Sequence, residues 1–231
     1  MNRYNRIINS IRCRGLKRSI DIILSAIGDC IFDIKHRTRT MRCVNLSLLD
    51  INSENRQRGQ RYEPTRERPF RKLMSILDFP SDSVFVYFGS GKGRVLLMAS
   101  DYGFKRIVGI DFSPKLCEIA RRNISIYQGK AGDGANIEVI ESDVVDYEVK
   151  SDENIFFLFN PFDSMVMDKV LKNIRTSLKK RNRKIWLIYN DPACHDVVEK
   201  QGDVFLKVGE YMFGGFGFFV YASPFPKNAA S

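Results

Sequence analysis

Residues 84–94, VFVYFGSGKGR, constrain this chain's fold more than any other stretch. Val84 to Phe88 form an apolar run of β-branched and aromatic residues, the composition of a buried parallel strand. The run breaks at Gly89-Ser90-Gly91-Lys92-Gly93, and a helical apolar pattern resumes at Val95, Leu96, Leu97 and Ala99. Strand, glycine turn and helix in this order bring backbone N–H groups and a helix N-terminus up to a ligand. Glycine suits such a turn because side chains obstruct close approach and unusual φ values. The segment therefore reads as a nucleotide-type binding turn.

Downstream the chain alternates between short strands and helices. A helix over 94–102 leads to a strand at 106–111, and Ser113 and Pro114 open a helix over 114–127. Strands follow at 137–141 and 155–159, then a helix over 163–180, a strand at 184–189 and a short helix over 193–200. Two apolar segments, 204–208 and 216–222, close the pattern with glycine-containing residues 209–215 between them. The expectation is an α/β fold: a doubly wound, mostly parallel seven-stranded sheet with an antiparallel edge hairpin.

Upstream lies a basic segment, treated as an arm of residues 1–61 before a domain of residues 62–231. Residues 1–72 hold 17 Lys+Arg against 7 Asp+Glu, so the whole net charge of +10 sits there. Leu16, Ile20, Ile23, Leu24, Ile27 and Ile31 recur at helical spacing, predicting an N-terminal amphipathic helix over 16–34. Asp21, Asp29 and Asp33 make it too charged to span a bilayer, and packing on the domain is favoured over lying on a membrane. A short helix is expected near 46–49, and a further one through Phe70, Leu73, Met74, Ile76 and Leu77 with Thr65 as its N-cap. The basic excess points to nucleic acid or an anionic membrane surface met through residues 1–61, against a merely solvated arm. Five scattered cysteines without a CxxC pair, and two histidines, predict neither a metal site nor a disulfide framework. Reduced thiols and the absence of a signal-peptide pattern suggest a cytoplasmic protein.

The letters of the turn discriminate between nucleotides. A Walker loop needs GxxxxGK[ST], and Arg94 follows Gly93 instead. A dinucleotide fingerprint needs a third glycine where Arg94 stands. Gly89-x-Gly91-x-Gly93 instead resembles the GxGxG turn of class I S-adenosylmethionine (SAM)-dependent methyltransferases. That resemblance implies a Rossmann-like methyltransferase fold and SAM as cofactor. Asp111, ending the second strand, matches the family's acid for the ribose hydroxyls, and Phe112 is placed against adenine. Asp143, with Val144 beside it, matches the acid that accepts from the adenine amine. Ser90 belongs to the turn itself.

Asn160-Pro161-Phe162 at the end of the fourth strand resembles, with one proline missing, the (Asp/Asn)-Pro-Pro-(Tyr/Phe) motif of amino-group methyltransferases. An Asn oxygen and a backbone carbonyl can accept from an –NH₂ and aim its lone pair at the methyl group. Tyr189, Asn190 and Asp191 are expected at the same mouth. More broadly, residues 60–222 resemble an uncharacterised bacterial methyltransferase-domain family distantly similar to non-SET lysine methyltransferases. By that resemblance Tyr62, Pro64 and Thr65 form a lid over the methionine end of SAM. One position departs: Tyr87 stands where the family carries an acid, with Glu63 a candidate substitute and Tyr87→Asp expected to strengthen SAM binding. The leading expectation is methyl transfer to an amino nitrogen of a protein side chain or small molecule. Nucleic-acid methylation guided by the basic arm and a non-catalytic scaffold are the alternatives.

Overall fold

The computed structural model describes residues 16–131 and 135–224; residues 1–15 of the basic arm lie outside them. Strands β1 (Val84–Phe88), β2 (Arg106–Asp111), β3 (Ile137–Glu141), β4 (Ile155–Phe159), β5 (Trp186–Asn190), β6 (Leu206–Phe213) and β7 (Phe216–Ala222) form one seven-stranded sheet. Its order is β3-β2-β1-β4-β5-β7-β6. All pairs are parallel except β5–β7 and β6–β7. Strand order reverses between β1 and β4, and the carboxyl edge of that junction is where an open α/β sheet binds ligands.

β1 is buried along its whole length and divides its side chains between two cores. Val84, Val86 and Phe88 join one face with Val166, Val170 and Ile174 of α5 (Ser164–Lys180). Phe85 and Tyr87 join the other, with Phe70 and Leu73 of α2 (Glu67–Met74), Leu96 and Leu97 of α3 (Arg94–Ala99) and Ile124 of α4 (Pro114–Ala131). This period-2 division is what a doubly covered strand requires.

Two elements differ from the sequence expectation. The edge hairpin does not turn over 209–215. β6 runs through Gly209 to Phe213, with a register shift between Lys207 and Gly209. Gly214 and Gly215 alone make the turn, at φ 60° and 91°. A bulge absorbs Val208, and the paired positive-φ glycines suit a two-residue hairpin. Thr65 does not cap α2. The first helical N–H, that of Glu67, donates instead to Asp29 Oδ1 at 2.9 Å.

Asp29 lies on α1 (Leu16–His36), which does pack on the domain but with an unexpected face. Its buried positions include Ser25, Asp29 and Phe32, whereas Ile20, Ile23, Leu24, Ile27, Ile31 and Ile34 are 46–77% exposed. The reason is Arg94. Its guanidinium is 1% exposed and reaches Asp29 Oδ1 at 2.8 Å, Thr40 Oγ1 at 2.7 Å and the Thr65 carbonyl at 3.0 Å, with Asp33 at 3.5 Å. The Phe32 ring lies 4.4 Å from it. A buried cation demands paired carboxylates, and α1 supplies them only on its polar side. Among the described residues, no helix is long and apolar enough to cross a membrane.

Candidate functional site

A cleft of about 640 Å³ opens at the carboxyl edge between β1 and β4. Tyr62, Tyr87, Gly89, Asp111, Phe112, Asp143, Val144, Pro161 and Phe162 line it together. Residues far apart in sequence but expected at one site are thus brought to one cleft.

The glycine turn is packed from both sides. Gly89 has φ +76°, and a Cβ there would fall 2.6 Å from Pro161 Cβ. Gly91 has φ +55°, and a Cβ there would enter the Tyr62 ring. The Tyr62 hydroxyl donates to the Thr40 carbonyl at 2.8 Å, which fixes the ring over the turn. Burial, and then Tyr87, hold the Tyr62 phenol well above its ordinary pKa, so it stays a donor. Lys92 Nζ sits 5.1 Å from the same ring and donates to the Arg42 carbonyl.

Four of the five N–H groups of this turn are used within the protein. Those of Gly89 and Ser90 donate to the Ile110 carbonyl at 2.9 Å, and that of Gly93 donates to Ser90 at 3.0 Å. Gly91 N–H donates to Asp111 Oδ2 at 2.8 Å, while Ser113 N–H donates to Oδ1 at 2.9 Å. A phosphate-binding turn keeps its N–H groups for the ligand and has no carboxylate at its centre. Here four N–H groups are already committed and a carboxylate stands at the centre. Asp111 is 5% exposed and retains lone pairs toward the cleft. Burial raises its pKa from 3.8 to about 6, against the lowering effect of the Ser113 and Gly91 N–H groups.

Tyr87 stacks edge-on against Phe157 at 5.1 Å and belongs to the core, with its edge at the cleft. Burial raises its pKa, opposed by the nearby Thr65 hydroxyl and reinforced by Asp111. Thr65 Oγ1 is itself buried without a hydrogen-bond partner, as is Ser90 Oγ; Thr65 lies close enough to influence the phenol without a formed bond. Glu63 lines the cleft and pairs with Arg61.

The segment before Tyr62 supplies contacts that sequence reasoning missed. Asp143 Oδ2 accepts from Ser53 Oγ at 2.5 Å and from Asn55 Nδ2 at 2.9 Å. Gln60 N–H donates to the Pro161 carbonyl at 2.9 Å, and Asp163 N–H to the Arg58 carbonyl at 2.9 Å. Gly59 forms an isolated bridge with Phe162 and lies against Phe112 and Leu46. Residues 53–60 thus form a wall of the cleft, held by the Asp143 carboxylate and the 160–163 loop. Polar, with Arg56, Gln57, Arg58 and Gln60, and lacking periodicity, this stretch carried no signal of that role.

Asn160 has φ +36°, a left-handed value uncommon outside glycine and a form of strain concentrated at functional sites. It is half-buried between Phe159 and Pro161, which line the cleft, without lining it itself. A second opening adjoins, lined by Arg61, Glu63, Phe159, Asn190, Phe216 and Phe218 among others. Arg61, Glu63 and Phe159 also line the first cleft, so the two openings share a wall. Asn190 lines this second opening rather than the mouth formed by Pro161 and Phe162, with its Nδ2 donating to the Gly217 carbonyl at 2.9 Å. Tyr189 does not: it is fully buried, and its hydroxyl accepts from Cys194 N–H at 3.1 Å. Strand alternation sends it into the core opposite Asn190's side.

Residues 85–181, which include the turn, Asp111, Asp143 and the 160–162 loop, match the sequence profile described as a methyltransferase domain. A protein-lysine N-methyltransferase of Saccharolobus islandicus (strain REY15A) is 22% identical over 116 residues, covering 49% of this chain and 70% of that protein. An RNA methyltransferase from Salinibacter ruber, solved with S-adenosyl-L-homocysteine, superposes with TM-score 0.52 at 19% identity, over 73% of this chain and 99% of that one. The N-methyltransferase NodS from Bradyrhizobium japonicum WM9, also solved with S-adenosyl-L-homocysteine, gives TM-score 0.53 at 14% identity, over 68% and 86%. The seven-stranded sheet of residues 84–222 therefore has the fold of class I SAM-dependent methyltransferases.

Proposed function

We propose that this chain binds SAM in the β1–β4 cleft and transfers its methyl group to an amino nitrogen. The observation that carries the cofactor assignment is the Asp111 carboxylate. It is tied to the glycine turn by Gly91 N–H and faces a cleft whose turn spends the N–H groups of Gly89, Ser90, Gly91 and Gly93 inside the protein. The spare lone pairs of Asp111 fit two ribose hydroxyls. Phe112 and Val144 offer apolar surface for a base, and Asp143, already accepting from Ser53 and Asn55, has capacity for one more donor. Glu63, which lines the cleft, is available to the ammonium group of the amino-acid tail. When bound, SAM supplies an electrophilic methyl group on a sulfonium.

For the acceptor, Pro161 and Phe162 line the first cleft with Asn160 beside them in sequence, and Pro161 lies against Gly89 of the turn. The Asn160 amide oxygen and the Pro161 carbonyl, which keeps a lone pair beyond its bond from Gln60, would hold an –NH₂ in line with the methyl group. Phe162 packs beside it. Phe159, Phe216 and Phe218 offer ring faces and Glu63 a carboxylate along the second opening, a lining suited to an alkylamine. A lysine side chain or a small amine meets these demands, and the likeness to a protein-lysine N-methyltransferase supports the first. Positioning would dominate the rate, as expected for an in-line displacement.

The test is calorimetric titration of the full chain with SAM and S-adenosylhomocysteine, alongside Asp111→Ala. Binding by the wild type and its loss in the variant support the cofactor site; no binding by the wild type would leave a non-catalytic fold. Incubation of a lysate with deuterated-methyl SAM, followed by mass spectrometry, then reads the acceptor atom. Label found only on oxygen or on nucleobases would overturn the amine assignment.

A further inference from the structure

We infer that the outward face of α1 is a docking surface for an anionic lipid bilayer, lying in the interface without crossing it. This goes beyond the methyl-transfer reading and uses none of its residues. Helix α1 spans 21 residues, roughly 30 Å of helix. Its six exposed aliphatic residues, Ile20, Ile23, Leu24, Ile27, Ile31 and Ile34, follow 3- and 4-residue steps and cover one stripe about 100° wide. The opposite face is committed to the domain through Asp29, Asp33 and Phe32, so the stripe cannot rotate inward. Asp29 alone is held by Arg94, Arg66 and the Glu67 N–H. The ordinary arrangement, apolar side in and polar side out, is reversed here.

Charge selects the occupant. The first 20 residues carry six Arg and Lys and no acid, and Lys35, Arg37, Arg39 and Arg42 follow the stripe with no acid until Asp50. The latter four are exposed. An aliphatic stripe with basic groups at both ends matches the acyl boundary and anionic headgroups of a membrane surface. A second copy of the chain fits less well. Although the stripe has the spacing of a helix-pairing seam, either a parallel or an antiparallel pair would bring two basic ends together. Nucleic acid would use the charge but leave the isoleucines in water.

The experiment is vesicle co-sedimentation of the full chain with phosphatidylcholine alone and with phosphatidylcholine containing about 30% phosphatidylserine. The wild type is expected to sediment with the anionic vesicles at least tenfold more strongly than with the neutral ones, and less at high salt. Ile23→Glu combined with Ile27→Glu should reduce that binding at least tenfold while leaving S-adenosylhomocysteine affinity and melting temperature unchanged. Ile34→Glu alone, at a site 77% exposed, provides a second variant that cannot disturb packing and should weaken binding severalfold. Three results would overturn the inference. They are no sedimentation with anionic vesicles, equal sedimentation of the glutamate variants, and concentration-dependent self-association of the wild type that the same substitutions abolish. Binding to transfer RNA that displaces the vesicles and ignores the glutamates would also overturn it.

Discussion

Replacing Asp111 by Asn should separate folding from binding along the pH axis. In the folded chain, burial raises the Asp111 pKa from 3.8 to about 6. Between roughly pH 4 and pH 6 the native carboxyl holds a proton that the unfolded chain has released. Stability from this group is therefore greatest at acid pH and declines as pH rises through that window. Two units at about 1.36 kcal/mol each set the decline at up to ~3 kcal/mol by pH 7. Asn cannot ionise, so its contribution is flat. It has one acceptor oxygen for the two N–H groups of Gly91 and Ser113, which adds a pH-independent cost of about 1–3 kcal/mol. Urea unfolding of both proteins from pH 4.5 to 7.5 reads the difference directly. The wild type should lose its advantage, or fall below the variant, as pH rises. Ligand binding should run the other way. Ribose hydroxyls donate to the anion, so wild-type affinity for S-adenosylhomocysteine should fall about tenfold per pH unit below 6 and be absent in Asp111→Asn. A stability difference constant to within about 0.5 kcal/mol across the range would refute the burial argument. Affinity that does not change with pH would refute the role assigned to the carboxylate.

Other substitutions test the packing. Arg94→Met strips Asp29 of its buried partner and should destabilise the chain by about 3–5 kcal/mol, with α1 becoming an early site of limited proteolysis. Gly91→Ala places a methyl group in the Tyr62 ring at φ +55°, so thermal unfolding should show a loss of at least ~1–3 kcal/mol and calorimetry a loss of cofactor binding. Tyr87→Asp, which the family pattern alone would favour, buries a charge beside Asp111 and removes a ring packed on Phe157; we expect about 3 kcal/mol or more of destabilisation in urea. Tyr87→Phe should keep the fold and change cofactor affinity by less than about tenfold. Asp143→Ala releases Ser53 and Asn55, and faster hydrogen exchange at residues 53–60 is the expected readout.

The parts legible in the sequence were those specified by local chemistry. Val84–Phe88 could be read as a buried strand because period and composition agree, and the spacing from Gly89 to Asp111 is one βαβ step. The same logic located Asn160 at the end of β4. What escaped were pairings between residues distant in sequence. Arg94 was informative only as a letter that disqualified two other motifs, yet it reaches Asp29 across 65 positions and turns α1 over. Periodicity correctly marked six aliphatic residues on one side of that helix but could not say which side faces the sheet. A buried guanidinium outranks a hydrophobic stripe, because leaving it unpaired costs more than leaving isoleucines half-exposed. Gln60 on Pro161 and Asn55 on Asp143 are likewise contacts without a local pattern.

The Arg94 network also bears on where this chain can be cut. A fragment beginning at Tyr62 would keep every strand of the sheet and the whole glycine turn. It would nevertheless uncover Arg94 and leave its guanidinium the Thr65 carbonyl but neither Asp29, Asp33 nor Thr40, with the Phe32 ring gone from its face. Because Arg94 is the first residue of the helix that follows Gly93, that deficit would fall on the turn itself. The helix that precedes the sheet and the turn at its centre form one cooperative unit.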